Sequence, residues 1–130
     1  TLQVKSLHQQ GFSIGGHSHK HPEFWNIPER KQLKHITKSM KWVIKNVNPK
    51  IKAFAFPYTD SGVSAALIRK IHDEDLCDIS FGTAGVKYDA LSTHFQRYTA
   101  EQNGDFKRNI KAEFVYYKLR KAIGKATVKH

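Results

Sequence analysis

The sequence predicts an α/β fold built from parallel strand–helix units. Segments with a helical spacing of apolar residues alternate with short strand-like runs along the 130 residues. The run at 51–56 is apolar at nearly every position, which is typical of a strand buried on both faces of a parallel sheet. Loops that contain glycine or proline follow the strand-like runs. This alternation predicts parallel βα units.

The chain starts with a predicted helix, a short strand and a histidine-rich loop. Residues 1–10 carry apolar side chains on one side, and Gly11 is well placed as the C-terminal cap of this helix. Residues 12–16 are predicted to form a short strand that ends at the loop.

A long amphipathic helix is predicted over residues 28–47. Pro28 suits a first helical turn, and Asn26 is a candidate cap. Lysines occupy one face, and Asn48 with Pro49 ends the helix. The apolar positions of the other face are assigned to the core. They are Leu33, Ile36, Met40, Val43, Ile44 and Val47.

The later elements continue the alternation. Ser61 or Ser64 is expected to cap the third helix, and Gly124 to end the last one. The last helix is expected to be amphipathic, with Phe106 and Phe114 on its apolar side. The predicted ranges are a strand at 51–56, a helix at 63–72, a strand at 78–82, an extended segment at 91–98 and a helix at 106–123.

The composition is strongly basic. Twenty-two Lys and Arg residues against 11 Asp and Glu residues give a formal net charge of +11. Such a charge favours an acidic partner, such as nucleic acid, an anionic cell-wall polymer or a membrane surface. Residues 104–130 are the most basic segment, and we interpret them as a solvated helix face with a tail.

Cysteine content and hydropathy exclude some classes of protein. The single cysteine, Cys77, excludes an internal disulfide and a cysteine-rich zinc site, and its apolar neighbours predict a buried structural thiol. No apolar run reaches the roughly 18 residues that a membrane-spanning helix needs. No signal-peptide pattern is visible, which leaves localisation undecided, with the bacterial cell envelope or secretion as candidates.

The histidine-rich loop at 15–22 is the main candidate for a functional site. Three residues separate His17 from His21, and neutral imidazole is a good ligand for zinc and similar cations. Two glycines before the pair let the chain turn, and Pro22 prevents a helix from continuing through it. The alternative is a polar surface turn, which we expect for His19 and Lys20 but not for their neighbours.

Two motifs in this order resemble those of a known family. Residues 16–22 read Gly-His-Ser-His-Lys-His-Pro, which resembles the His-Ser/Thr-x-x-His-Pro signature of the polysaccharide deacetylases, the NodB-homology or carbohydrate esterase family 4 group. Residues 54–58 read Phe-Ala-Phe-Pro-Tyr, which is similar to the variant of the family's Arg-x-Pro-Tyr motif that lacks the arginine. The resemblance covers residues 5–98.

The resemblance implies that the chain is part of an irregular (β/α) barrel of the NodB-homology type. The sequence contains too few strands for a closed barrel, so residues 1–130 are predicted to be a single partial domain with a basic C-terminal helix and tail at 104–130. Either the sheet stays open, or another segment or another chain completes it. An open edge of this kind would favour a homo-oligomer.

In the family that the chain resembles, two histidines and one aspartate hold a divalent metal, often zinc. The metal polarises the acetyl carbonyl and activates water. A second aspartate acts as the base, and a histidine protonates the departing amine. The metal and a backbone N–H stabilise the negative charge that develops on the acetyl oxygen.

The motif match assigns roles to individual residues. His17 and His21 would be the metal ligands, and Ser18 would fix the loop by a hydrogen bond. The backbone N–H of Tyr58 would stabilise the oxyanion, which makes Tyr58 both a catalytic and a substrate-binding residue. Pro57 would shape the substrate-binding turn.

The sequence also departs from the family pattern. Nothing like Thr-Phe-Asp-Asp-Gly lies between Thr1 and Gly16, so the third ligand and the base are missing. Asp60 is the acid closest to either motif, but it is not assigned as a ligand. His94 is the candidate acid, although its Leu-Ser-Thr-His context is one residue longer than the family's Leu-x-His; the alternative is a surface histidine. Arg97 would orient substrate or pair with an acid.

The resulting hypothesis is a portion of a metal-dependent polysaccharide deacetylase. The substrate would be a glycan with N-acetyl or O-acetyl groups, and the cofactor a divalent metal, most simply Zn²⁺. These 130 residues alone are expected to be inactive or nearly so. One alternative is a degenerate homologue that binds carbohydrate without catalysis. The other is a basic nucleic-acid-binding module, which ranks last because no helix-turn-helix or single-strand platform is visible.

Overall fold

The computed structural model describes residues 2–101 and 104–130. Helices and short strands alternate in the first half of the chain, as predicted, but three strands follow one another between the third and fourth α-helices. The helices are α1 (Leu2–Gln9), a 3-10 turn (Phe24–Asn26), α2 (Glu29–Val47), α3 (Ala65–Asp73) and α4 (Phe106–Lys121). The strands are β1 (Ala53–Ala55), β2 (Ile79–Gly82), β3 (Tyr88–Asp89), β4 (His94–Gln96) and β5 (Thr127–Val128).

The central sheet is parallel. Its strand order is β1-β2-β4, and Gly16 extends it by a single parallel bridge to Phe54 on the far side of β1. Phe54 lies opposite Ser80, which lies opposite His94. Strands β3 and β5 form a separate parallel pair. The α/β class is therefore confirmed, whereas the barrel stays a prediction.

Helices α2 and α3 enclose the core on one face of the central sheet. Side chains alternate along a strand, so Phe54, Ser80 and His94 share this face. The side chains of α3 expected to face inward, Leu67, Ile68 and Ile71, are buried, and four of the six predicted core positions of α2 are buried. The largest apolar core side chains, all below 2% exposure, are Phe24, Ile36, Met40, Phe54, Phe56, Leu67, Ile68 and Ile71.

The opposite face of the sheet is only partly covered. It carries Ala53 and Ala55 from β1, Phe81 from β2 and Phe95 from β4. Phe95 is 48% exposed. An apolar groove continues from this face past Phe12, Ile14 and Ile51.

The first strands are shorter than predicted. Of residues 12–16 only Gly16 pairs with β1, through its N–H to the Ala53 carbonyl and its carbonyl to the Ala55 N–H. Strand β1 begins at Ala53 because the Lys52 N–H is bound by the Asp78 carboxylate at 2.7 Å instead of by a strand. The apolar composition therefore located these segments correctly, but fewer of their residues form strand hydrogen bonds than predicted.

The helix caps differ in part from expectation. Asn26 does not cap α2, since its amide donates to Glu23 at 2.6 Å and Pro28 takes the cap position. Ser64, not Ser61, caps α3, because its hydroxyl accepts the Leu67 N–H at 3.0 Å. Asn48 ends α2 with a left-handed backbone, φ 52°.

Helix α4 forms close to the predicted range, but the apolar side predicted for it is not buried. The helix begins at the Asp105 cap, but none of its residues is buried, and Phe106 and Phe114 are 47% and 57% exposed. It contacts the preceding segment through polar and cation–π interactions: the Val86 N–H donates to Glu113, and the Lys87 ammonium lies 5.5 Å from the Tyr117 ring centroid.

The environment of Cys77 and the hydropathy of the helices bear on two statements made from the sequence. Cys77 is a free, buried thiol, and burial raises its pKa to about 12, which agrees with a structural role. Among the described residues, no helix is long and apolar enough to cross a membrane.

We expect stability to depend on the face under α2 and α3 and hardly at all on α4. Replacing Ile68, which is fully buried, in Ile68→Ala should lower the free energy of unfolding by roughly 2–5 kcal/mol. The exposed Val115→Ala in α4 should change it by less than about 0.5 kcal/mol. Urea denaturation followed by circular dichroism measures both. Equal losses would show that α4 packs against the core.

Candidate functional site

The candidate site lies at the carboxyl edge of the central sheet. Because the strands are parallel, the segments that follow Gly16, β1, β2 and β4 emerge at the same edge. These segments carry the histidine loop, the Pro57–Tyr58 turn and Arg97. Ligand sites in open α/β sheets are found at this edge.

The two predicted metal ligands converge. The Nε2 atoms of His17 and His21 lie 3.0 Å apart. His17 Nδ1 lies 2.8 Å from the Ala55 carbonyl oxygen and must donate to it. Neutral imidazole carries one N–H, so this bond leaves the lone pair of His17 on Nε2, facing His21.

The loop that holds the pair has an unusual backbone. Ser18 and His21 have positive φ angles of 69° and 50°. The Ser18 hydroxyl accepts the His21 N–H at 2.9 Å, and the His17 N–H donates to the Ser39 hydroxyl of α2 at 3.3 Å. Non-glycine residues rarely adopt left-handed backbone angles, and such residues cluster at functional sites. His19 and Lys20 are exposed as expected, but His17 and His21 are exposed as well, contrary to the expectation for the neighbours.

The proline–tyrosine turn faces the histidine pair. The Tyr58 and His21 rings meet edge to face with centroids 4.6 Å apart. Tyr58 has φ 54° and is 58% exposed, whereas Pro57 is buried. Within residues 2–101 and 104–130, no acceptor binds the Tyr58 N–H, so this donor is free to meet a ligand.

Arg97 joins the site from the end of β4. It lines a shallow cleft with His17, Gly16, Ala55 and Phe81. Its Nε donates to the Gly82 carbonyl at 3.0 Å and its Nη2 to the Phe56 carbonyl at 2.8 Å. Burial lowers the pKa of Arg97, which still remains charged at neutral pH. The guanidinium is thus a fixed positive charge beside the histidine pair.

His94 does not lie with these residues. The interpretation of His94 as a surface histidine was wrong, since it is only 2% exposed. Its ring nitrogens lie 3.1 Å from Asp60 Oδ2 and 2.6 Å from Ser80 Oγ, on the core face of the sheet. The acid role predicted for His94 would require the ring to act through Asp60 or to become accessible.

A buried polar cluster surrounds His94 that the sequence reasoning did not find. The Gln96 amide donates to Asp60 at 2.9 Å and to Asp89 at 2.8 Å, and the His130 ring lies 3.0 Å from Asp89. Burial alone would raise the pKa of Asp60, but hydrogen bonds from His94, Gln96 and the Thr83 N–H outweigh it and hold this pKa well below its usual range.

Sequence signals for this cluster were weak. Asp60 was noticed for its closeness to the second motif, but Asp89 and His130 are 29 and 70 residues away from it along the chain. Gly82 gave no signal either, although any side chain there would collide with Asp60 and Gln96. Only the fold brings these residues together.

Two groups of side chains could therefore hold a cation. Zinc–nitrogen distances are about 2.0–2.1 Å, so the Nε2 atoms of His17 and His21 are close enough to share one ion. Among the described residues, no carboxylate is bonded to this pair. In the buried cluster, ligand atoms of Asp60, Asp89, His94 and His130 all lie within 4.8 Å of one another.

The fold and the site define an α/β protein with a histidine pair and a proline–tyrosine turn at the carboxyl edge of a parallel sheet. Residues 1–74 match the family model of the polysaccharide deacetylases, and they make up more than half of the 130 residues. The chain therefore belongs to the polysaccharide deacetylase family. The match includes both motifs and Asp60 but not His94 or Arg97. No curated protein and no solved structure matches the chain significantly.

Asp60 should make stability depend on acid pH. Its pKa is depressed in the folded state, so its contribution is present above the unfolded value of about 3.9 and is lost as the pH falls towards the folded value. We expect Asp60→Asn to be less stable than the parent by about 2–3 kcal/mol at pH 7. The difference should shrink between about pH 5 and pH 2.

Urea midpoints measured across this pH range test the prediction. The exposed Asp73→Asn in α3 is the matched control and should follow the parent closely. A gap between Asp60→Asn and the parent that stays constant from pH 7 to pH 2 would contradict it.

Proposed function

We propose that the chain provides the metal-binding and oxyanion-stabilising part of a deacetylase that acts on acetylated glycans. The observation that supports this most directly is the pair of imidazole nitrogens, 3.0 Å apart, beside the free N–H of Tyr58. The family membership supports a deacetylase-type activity. The fixed loop geometry supports a site that is already organised before substrate binds.

His17 and His21 fit a divalent cation. The hydrogen bond of His17 to the Ala55 carbonyl orients its ring and directs the lone pair of Nε2 towards the site, as metal-binding histidines require. A cation bound there would polarise the acetyl carbonyl and promote its attack by water. Ser18 contributes indirectly, by fixing the backbone of His21.

The remaining residues of the site would position the substrate. The Tyr58 N–H would donate to the acetyl oxygen as negative charge develops on it. Pro57 holds the turn from its buried position, and the Arg97 guanidinium would donate hydrogen bonds to hydroxyl or carbonyl oxygens of the sugar in the cleft that it shares with His17. The overall reaction breaks the bond from the acetyl carbon to nitrogen or oxygen, adds water and releases acetate.

Proton transfer is the incomplete part of the site. The described residues place no carboxylate against the histidine pair, so we propose that another polypeptide segment supplies the third ligand and the base. The same observation favours a second candidate, a homologue that binds carbohydrate without catalysis. Completion of the sheet by a second copy stays a prediction.

We expect the chain to bind about one zinc ion per molecule through the histidine pair. After equilibration with Zn²⁺ and dialysis, elemental mass spectrometry should find this ion in the parent and lose it in His17→Ala, because a single remaining imidazole binds too weakly. His19→Ala, in the same loop but exposed, is the matched control and should keep the metal. His94→Gln should also keep it.

Two outcomes would contradict the proposal. The parent could contain no metal, or His17→Ala could retain it in full. Metal binding without acetate release from acetylated glycans, in a preparation that includes an added aspartate-bearing segment, would support the non-catalytic candidate instead.

The role of Tyr58 should depend on its backbone and not on its hydroxyl. In an active preparation, Tyr58→Phe should keep kcat within a few-fold, since it keeps the N–H. Replacing the amide with an ester at Tyr58 by protein ligation removes this donor and should lower kcat by about 10²–10³. Acetate release measures both. If the ester were fully active while Tyr58→Phe was inactive, the oxyanion role would be excluded.

A further inference from the structure

A continuous hydrogen-bond network runs through the protein from the segment after α3 to the loop after β1. It starts at the Cys77 carbonyl, which lies 3.0 Å from His72 Nδ1, and passes from His72 Nε2 to Ser80 Oγ at 3.1 Å. It continues from Ser80 Oγ to His94 Nδ1 at 2.6 Å and from His94 Nε2 to Asp60 Oδ2 at 3.1 Å. Ser80 and His94 are at most 2% exposed, so water cannot replace a missing partner there.

The number of protons in this chain can be counted. Both ends are acceptors: the Cys77 carbonyl has no proton, and Asp60 is ionised, since its pKa is strongly depressed. Four hydrogen bonds need four protons. Two neutral imidazoles and one serine hydroxyl supply only three. The hydrogen-bond network therefore needs one proton more than its residues carry when they are neutral.

The position of the extra proton follows from the surroundings. Burial lowers the pKa of His72, which favours a neutral ring with its one N–H on the Cys77 carbonyl. The bare Nε2 of His72 then accepts the Ser80 hydroxyl proton. The Ser80 oxygen in turn must accept from His94 Nδ1, while His94 Nε2 faces the Asp60 carboxylate. Both nitrogens of His94 are thus required to be donors.

We propose that His94 is a buried imidazolium, protonated on both ring nitrogens and held between the Ser80 hydroxyl and the Asp60 carboxylate. It is a positioning residue that acts through Asp60, whose other oxygen accepts the Thr83 N–H at 3.2 Å. In this way it fixes the loop that carries Pro57 and Tyr58. The inference does not depend on the deacetylase function.

The other charged groups around His94 are compatible with this charge. Asp60 faces it from the loop after β1 and His72 from α3, while the His130 ring lies 5.1 Å from its ring and contacts Asp89 of β3. The Arg97 cation also interacts electrostatically with Asp60. The carboxylates of Asp60 and Asp89 therefore offset the positive charge of the imidazolium.

Nitrogen-15 NMR of the labelled chain tests the proposal directly. At pH 8 a histidine of ordinary pKa is only about 3% protonated. We expect one of the eight histidines to show two protonated ring nitrogens at pH 8, with a signal that is absent in His94→Gln. The Thr83 amide signal should also move in His94→Gln, because its N–H donates to the Asp60 carboxylate.

Ser80→Ala provides the decisive variant. Without the hydroxyl, two hydrogen bonds remain for two neutral histidines, so the extra proton is no longer needed. At pH 8 His94 should then show only one protonated ring nitrogen, whereas the exposed Ser92→Ala should leave both protonated. If Ser80→Ala does not fold, the parent spectrum alone decides.

Three results would overturn the proposal. The parent could show His94 with one bare nitrogen at pH 8. Ser80→Ala could leave His94 doubly protonated, in which case Asp60 alone would hold the charge. Stoichiometric zinc could remain in His17→Ala but be lost in His94→Gln, which would show that a cation among Asp60, Asp89, His94 and His130 takes the place of the proton.

Discussion

Parallel pairing of Gly16, β1, β2 and β4 is the constraint on which the candidate site depends. It brings the ends of four separate segments to one edge, so that residues 80 positions apart, His17 and Arg97, line the same cleft. The hydrogen bond from His17 to the Ala55 carbonyl then orients the first imidazole from the neighbouring strand. The sheet thus both collects the functional groups and fixes the direction of one of them.

The loop after β1 connects two polar regions of different character. On its outer side Tyr58 contacts the exposed histidine pair, and on its inner side Asp60 belongs to the buried cluster around His94. Only Thr59 separates the two residues. Hydrogen bonds inside the core and the contact with the histidine pair thus meet within three residues of one turn.

The histidine pair and the Pro57–Tyr58 turn were predictable because each is a local motif at the end of a strand, and parallel strands end at a common edge. The buried cluster was not, since Asp60, Asp89 and His130 come together only through tertiary contacts. The burial of His94 could not be read from its polar sequence context, because Ser80, which receives its ring, lies on a different strand. Helix α4 shows a different limit of the sequence. Helical spacing of apolar residues indicates that they share one face, but it does not show whether another element covers that face.

The hydrogen-bond chain from the Cys77 carbonyl to Asp60 also restricts how this protein can evolve. Rotating the Ser80 hydroxyl reverses the direction of bonds but never alters how many protons are required. A change at position 72, 80 or 94 therefore alters how many protons the network needs or can supply, and its effect depends on which residues occupy the other two positions. These three positions should covary among relatives, so that the number of protons in the network is conserved rather than the identity of any one residue.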